Sequence, residues 1–162
     1  MNEKVLIIVA HSDDESIAMA GTIHKHVKKG DKVVAVAMTN GIGSRDNSKE
    51  SEISARKYAS IAASEILGFE WGECYDYSDN AIDAYPILEV VKSIEQAKMT
   101  YEPTLVYTHS GGDLNVDHRV VATAVLTAFR PQPNEICKEL RLMEVASATD
   151  YGSHAITGSF SP

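Results

Sequence analysis

The sequence predicts an α/β fold in three layers, a mostly parallel sheet of about five strands with helices on both faces. Two patterns predict it. Short, continuously apolar runs alternate along the chain with longer stretches whose apolar residues recur at helical spacing. The apolar runs also end abruptly in polar residues, as strands do where their carboxyl ends reach the ligand-binding rim of an open sheet. The sharpest junction is the first, where Val5-Leu6-Ile7-Ile8-Val9-Ala10 runs straight into His11-Ser12-Asp13-Asp14-Glu15.

Residues 5–10 lack polar alternation, which marks a strand buried on both faces. Residues 15–29 read as a helix with Ile17, Ile23, His24 and Val27 on one side, stopped by Gly30-Asp31. Residues 32–38 (KVVAVAM) are a second buried strand, followed at 39–49 by a loop rich in Gly, Asn and Ser. The next helix, 51–67, carries Ile53, Tyr58, Ile61, Ala62 and Ile66 near helical spacing and closes at Gly68. Residues 69–75 form a third, weaker strand and 76–84 a polar loop. A third helix, 85–99, carries Ile87, Leu88, Val91, Ile94 and Ala97. Pro103 precedes a fourth strand, 104–108, which ends in His109-Ser110-Gly111-Gly112-Asp113. A fourth helix at 117–129 and a fifth strand at 141–146 complete the alternation, and 147–162 show no periodicity.

With 162 residues the chain suits one domain with a sizeable core. Its 15 basic and 23 acidic residues give a formal charge of −8 without any basic block, which argues against nucleic acid and anionic membranes as partners. No apolar run approaches membrane-spanning length. Cys74 and Cys137 fit no paired-thiol pattern, and the N-terminus lacks the layout of a signal peptide. A cytoplasmic location is expected.

Three polar clusters follow strand ends, at 11–15, 40–46 and 109–118. In a parallel sheet such ends converge on one crevice. They supply His11, Asp14 and His118 as a site of two histidines and one carboxylate. Catalytic zinc commonly takes three protein ligands and a water, whose pKa it lowers to about 7. Asp13, beside a ligand, has the placement of a general base.

Each piece also has a plainer explanation. A histidine near a strand end often serves as a structural hydrogen-bonder. An acidic run opening a helix compensates the helix dipole. Asp117-His118 can be a cap followed by a surface histidine. Singly these suffice; jointly they leave unexplained why acids and histidines gather at separate strand ends. His24 and His26 face different sides of their helix and read as structural or surface groups. Arg45 and Arg56 suit an anionic or hydroxyl-rich substrate, or equally a surface ion pair. No glycine pair opens a helix in a GxGxxG or GxxxxGK frame and no serine sits in GxSxG, which excludes dinucleotide-binding, P-loop and α/β-hydrolase readings.

The stretch AHSDDE, then Gly21-Thr22, then THSGGDLNVDHR resembles the LmbE/PIG-L family of zinc-dependent N-acetylglucosaminyl deacetylases. That family has an AHPDDE box after its first strand and a DH pair after a later one. The resemblance runs from Val5 to about Ser147. It implies a Rossmann-like sheet, bound Zn2+ (with Fe2+ suited to the same donors), and hydrolysis of the N-acetyl group of a small amino sugar or glycoconjugate. By position it implies His11, Asp14 and His118 as metal ligands, Asp13 as general base and Asp117 as a carboxylate orienting a ligand. Arg56 resembles the family's substrate-contacting arginine; apart from the resemblance, Arg45 and His109 are the other candidate substrate contacts.

The departures from the pattern are specific. Ser12 replaces the usual proline, and Ala59 stands where the arginine helix often carries Glu. Asn115 stands where many members have a histidine; it can donate to an oxyanion but cannot deliver a proton. Protonating the leaving amine then falls to Asp13, His109 or His154. The family commonly continues past the point matching Pro162, which implies one domain, 1–162, truncated at its C-terminus. Competing readings are a non-haem iron enzyme using the same three ligands and a non-catalytic sugar- or metal-binding relative, which Asn115 favours. A DHH phosphoesterase is weaker, because Asp117-His118-Arg119 lacks the doubled histidine. Neither the N-acyl substrate nor the oligomeric state is legible.

Overall fold

A computed structural model describes residues 2–39 and 50–149. In chain order the elements are β1 (Lys4–Val9), α1 (Asp14–Lys29), β2 (Lys32–Thr39), α2 (Glu50–Leu67) and β3 (Glu70–Tyr77). A 3-10 turn (Ile82–Ala84) leads to α3 (Ile87–Tyr101), β4 (Leu105–His109), α4 (Val116–Ala128), β5 (Glu139–Met143) and a last helical turn, Ala146–Thr149. The five strands run in the order β3-β2-β1-β4-β5 and every pairing is parallel. The expected fold class is therefore the one found.

This strand order puts the site in place. From β1 the chain builds outward through β2 and β3, then crosses back to add β4 and β5 on the other side. The order reverses between β1 and β4, and open α/β sheets bind ligands outside the carboxyl ends at such a switch point. His11 and His109 stand there.

Successive side chains of a strand point to opposite faces, and β1 feeds a core on each. Leu6, Ile8 and Ala10 join Val34, Val36 and Met38 beneath Ile94 of α3 and Val121 and Val125 of α4. Val5, Ile7 and Val9 join Val33, Ala35 and Ala37 beneath Met19 and Ile23 of α1. Each buried aliphatic side chain contributes about 1.5–3 kcal/mol, so a strand between two helical layers is apolar at every position.

The helical faces differ from expectation where local geometry intervenes. Ile17, expected on the packed side of α1, is 61% exposed, while Met19 is buried. Met19 has non-helical angles (φ −145°, ψ 26°), so the helical phase breaks there. In α3 the buried face is Val90, Val91, Ile94 and Ala97, leaving Ile87 and Leu88 exposed. In α2 the apolar residues Tyr58, Ile61 and Ile66 point outward, and the helix seats through Ser60, Ala63, Ser64 and Leu67. Trp71 of β3 fixes that seating by donating its indole N–H to the Ser60 carbonyl at 3.1 Å. β5 starts two residues before its expected position because Leu105 pairs with Glu139 at the ladder's first rung. Among the described residues no helix is long and apolar enough to cross a membrane.

The α1–β2 turn carries a testable polar lock. Gly30 takes φ 88° and the Asp31 N–H bonds the His26 carbonyl at 3.1 Å, ending the helix in a left-handed cap. The Asp31 side chain, fully enclosed, accepts from the Glu3 amide at 2.8 Å and pairs with His26 Nδ1 at 2.7 Å. Burial works against its charge, but the His26 and Glu3 hydrogen bonds and nearby Lys29 hold the carboxyl below its usual range. Asp31→Ala should cost about 2–4 kcal/mol in urea melts at neutral pH, since it strands buried donors. A depressed carboxylate stabilises above its unfolded pKa of about 4 and loses that contribution as pH falls through its folded value. The gap between wild type and variant should therefore shrink in acid; a gap that widens there would contradict the assignment.

Candidate active site

The first turn of α1 folds back on the end of β1. The His11 amide donates to Asp14 Oδ2 at 2.9 Å, and the Asp14 amide reaches the His11 carbonyl at 3.3 Å. This brings the His11 ring over the Asp14 carboxylate, with Nδ1 3.2 Å from Oδ2. From β4 the chain returns into α4 through a chain of side-chain caps. Asp113 Oδ1 accepts from the Asn115 amide at 2.9 Å, and Asn115 Oδ1 accepts from the amides of Asp117 (2.8 Å) and His118 (3.4 Å). The cap starts α4 at Val116 and turns His118 inward.

Three buried donor atoms meet: His11 Nδ1, Asp14 Oδ2 and His118 Nε2. His118 Nε2 lies 3.3 Å from His11 Nδ1 and 3.3 Å from Asp14 Oδ2. A tetrahedral ion bound at about 2.0–2.2 Å spaces its ligands roughly 3.3–3.6 Å apart, close to this triangle. The outward nitrogens are held by carboxylates. His118 Nδ1 is 2.9 Å from Asp113 Oδ2, and His11 Nε2 is 3.1 Å from Asp79 Oδ1 and 3.3 Å from Asp117 Oδ2. Protons placed toward those carboxylates leave both inner nitrogens with lone pairs facing Asp14, the tautomers a metal requires. The donor set therefore fits a divalent ion.

The electrostatics agree. Burial opposes a charge on His11, but hydrogen bonds to Asp117 and Asp14 and the nearby Asp79 outweigh it and push the ring up to about 10. Burial likewise opposes charge on His118, and Asp113 and Asp14 raise it to about 9. Asp14 is held far below the carboxylate range, its desolvation overcome by His109, His11 and His118. Asp117 is also lowered against burial, by His11 and by the backbone N–H groups of Ile82 (3.0 Å) and Asn80 (2.7 Å). Without a metal, protons occupy the positions a cation would take.

The remaining expected residues fall in distinct places. Asp13 is 42% exposed, with its Oδ2 2.6 Å from the Arg56 guanidinium. Arg56, expected at substrate, is thus brought to the expected base. Asp117 is fully buried behind His11 and Asn115 caps α4. His109, expected on the substrate side, is completely enclosed and stacked on His118 with ring centroids 3.9 Å apart. Its Nε2 lies 2.9 Å from the Ala10 amide and 3.4 Å from Asp14 Oδ2, and burial keeps the ring's pKa low against the pull of Asp14. The ring helps close the strand end, and with Asp113 and His118 it forms a second buried group of donor atoms that come together. Arg45, the rest of the cluster at 40–46, and His154 lie outside the described residues.

Sequence reasoning missed Asp79 and the role of Asp113. Both follow strand ends on the same edge as His11, and that shared position was the available signal. It also undervalued Glu15, which is wholly buried rather than a surface dipole partner. Desolvation, with Asp14 and Asp13 nearby, pushes Glu15 up to about 7 against the stabilising Ser16 hydroxyl at 2.5 Å.

Solved structures share this architecture. The N,N'-diacetylchitobiose deacetylase of Pyrococcus horikoshii superposes with a TM-score of 0.73 at 22% identity, covering 88% of this chain and 60% of that one. The 4-carboxy-2-hydroxymuconate hydratase of Pseudomonas putida does so with a TM-score of 0.66 at 23% identity, covering 81% and 60%. One fold thus carries more than one reaction. Among curated proteins, a probable N-acetyl-α-D-glucosaminyl L-malate deacetylase 2 of Bacillus anthracis is 28% identical over 140 residues, 82% of this chain and 62% of that protein. The chain thus spans somewhat under two thirds of these relatives. The family model described as "PIG-L: GlcNAc-PI de-N-acetylase" matches residues 6–129, and the chain belongs to the PIG-L family.

Proposed function

We propose that this protein is a metal-dependent deacetylase that hydrolyses the N-acetyl group of an amino sugar or amino-sugar conjugate. The observation that carries the reading is the buried triangle of His11 Nδ1, Asp14 Oδ2 and His118 Nε2, with Asp13 beside Asp14 in the chain and 42% exposed. Its PIG-L membership and its deacetylase relatives point the same way. A divalent ion held by that triangle, which we assign as zinc, supplies a water of lowered pKa and a Lewis acid for the acetamide oxygen.

The chain's own groups do the rest. Arg56 holds Asp13 through Oδ2, so Oδ1 is the atom that takes the proton from the attacking water. Water oxygen bonds to the carbonyl carbon, the carbon–nitrogen bond breaks, and Asp13 returns the proton to the departing amine, giving acetate and the amino sugar. Asn115 commits its Oδ1 to the α4 cap, which leaves its Nδ2 to donate to the developing oxyanion. Buried Asp79, Asp113 and Asp117 hold the two imidazoles in register. The free thiols Cys74 and Cys137 suit the cytoplasm.

A panel of N-acetylated amino sugars, assayed for acetate release by wild type and Asp13→Asn, tests this. The variant should keep its metal and lose roughly 10²–10⁴-fold in kcat. Undiminished turnover removes Asp13 as the base, and no acetate from any substrate removes the deacetylase reading. Fe2+ fits the same two-histidine, one-carboxylate set, so metal analysis of protein purified without added metal decides between the ions.

A further inference from the structure

At the switch point β1 and β4 part just past Ile8 and Thr108, the last rung they share. Beyond it a side chain continues the ladder, because the Ala10 amide lies 2.9 Å from His109 Nε2. The same Nε2 is 3.4 Å from Asp14 Oδ2, and the face of the His109 ring lies on His118 with 3.9 Å between centroids and 9° between planes. One wholly buried side chain thus joins the end of β1 to two corners of the triangle. Its Nδ1 has no partner among the described residues. An unpaired buried nitrogen is a cost that a phenyl ring would avoid, and what the histidine gains is the anchor through Nε2.

We propose that His109 is a positioning residue that sets the tilt of the His118 ring toward the ion, with Ala10 as its anchor. The inference rests on the metal reading of the triangle. The second torsion of a histidine side chain is broad and roughly two-fold. The Asp113 carboxylate, 2.9 Å from His118 Nδ1, steers that nitrogen but leaves the ring's tilt soft. A parallel ring 3.9 Å away removes this freedom, since tilting His118 drives its edge into His109. The donor atoms that His109, Asp113 and His118 bring together do not make a second ion site by this geometry. Imidazole lone pairs lie in the ring plane, so two rings within 9° of parallel cannot both aim at one ion.

Binding of Co2+, whose visible absorption reports ligand geometry, tests the proposal. His109→Gln keeps polar atoms for Ala10 and Asp14 and removes the ring face. Folded by circular dichroism, it should bind Co2+ about 10–100-fold more weakly than wild type, with an altered spectrum. His109→Phe keeps the face and strands the Ala10 amide, so the pattern should invert, with a lower urea midpoint in chelator and a cobalt spectrum close to that of wild type. A folded His109→Gln with wild-type affinity and spectrum overturns the proposal. So does a His109→Phe whose spectrum is altered, and this variant alone decides should His109→Gln not fold. A wild type that takes up no Co2+ would instead remove the triangle as the metal site.

Discussion

Asp14→Ala is expected to lose its bound metal and to drop acetate release on the order of 10³-fold or more, because several kcal/mol of charge stabilisation goes with the ion. Asp14 Oδ2 lies 3.2 Å from His11 Nδ1 and 3.3 Å from His118 Nε2, so its removal takes away the carboxylate corner of the triangle. The same contacts set a pH dependence. His11 and His118 are raised to about 10 and about 9, and a metal must displace those protons to reach the lone pairs. Apparent metal affinity should climb as pH rises and level off above about 10. In the metal-free protein the sense is opposite. Raised histidines stabilise fully below their unfolded pKa of about 6.5, and that contribution is lost as pH rises through the folded values. Zinc titrations and urea melts in chelator, each at several pH values, check both signs. A metal affinity that falls with rising pH would sink the triangle as the binding site.

The second large effect belongs to Asp117→Ala. The side chain is wholly buried and accepts from the Asn80 and Ile82 amides while facing His11 Nε2. Removing it strands two backbone donors at about 1–3 kcal/mol each, so a loss of roughly 3–5 kcal/mol is expected. Loss of the carboxylate that fixes His11 should weaken metal binding about 10–100-fold. Asp117→Asn keeps an acceptor for one amide and should recover part of the stability without recovering the metal affinity. Equal recovery of both would mean the residue acts only as a structural peg.

The fold was legible because it rests on buried strands, whose continuous apolar runs survive any detail of side-chain direction. The helix faces were less so. The break at Met19 shifts the phase of α1, and the sequence marks it only by Gly21, two residues farther on. α2 seats on small residues, so its large apolar side chains mark the wrong side. Within the candidate site, His11, Asp14 and His118 were readable because each sits in a dense polar box at a strand end. Asp79 shares its polar loop with Asp76 and Asp83, and only the fold shows which of the three reaches His11. Asn115 is readable as a departure from the family box, whereas its cap on α4 depends on backbone geometry that a single sequence does not reveal.

The two amides that Asp117 accepts come from the turn between β3 and α3, the same turn that supplies Asp79. The turn and the His11 ring are thereby joined in one mechanical linkage: a shift of residues 78–82 moves both carboxylates that face His11 Nε2. By reciprocity, whatever changes the contacts of that ring changes how firmly the turn is held.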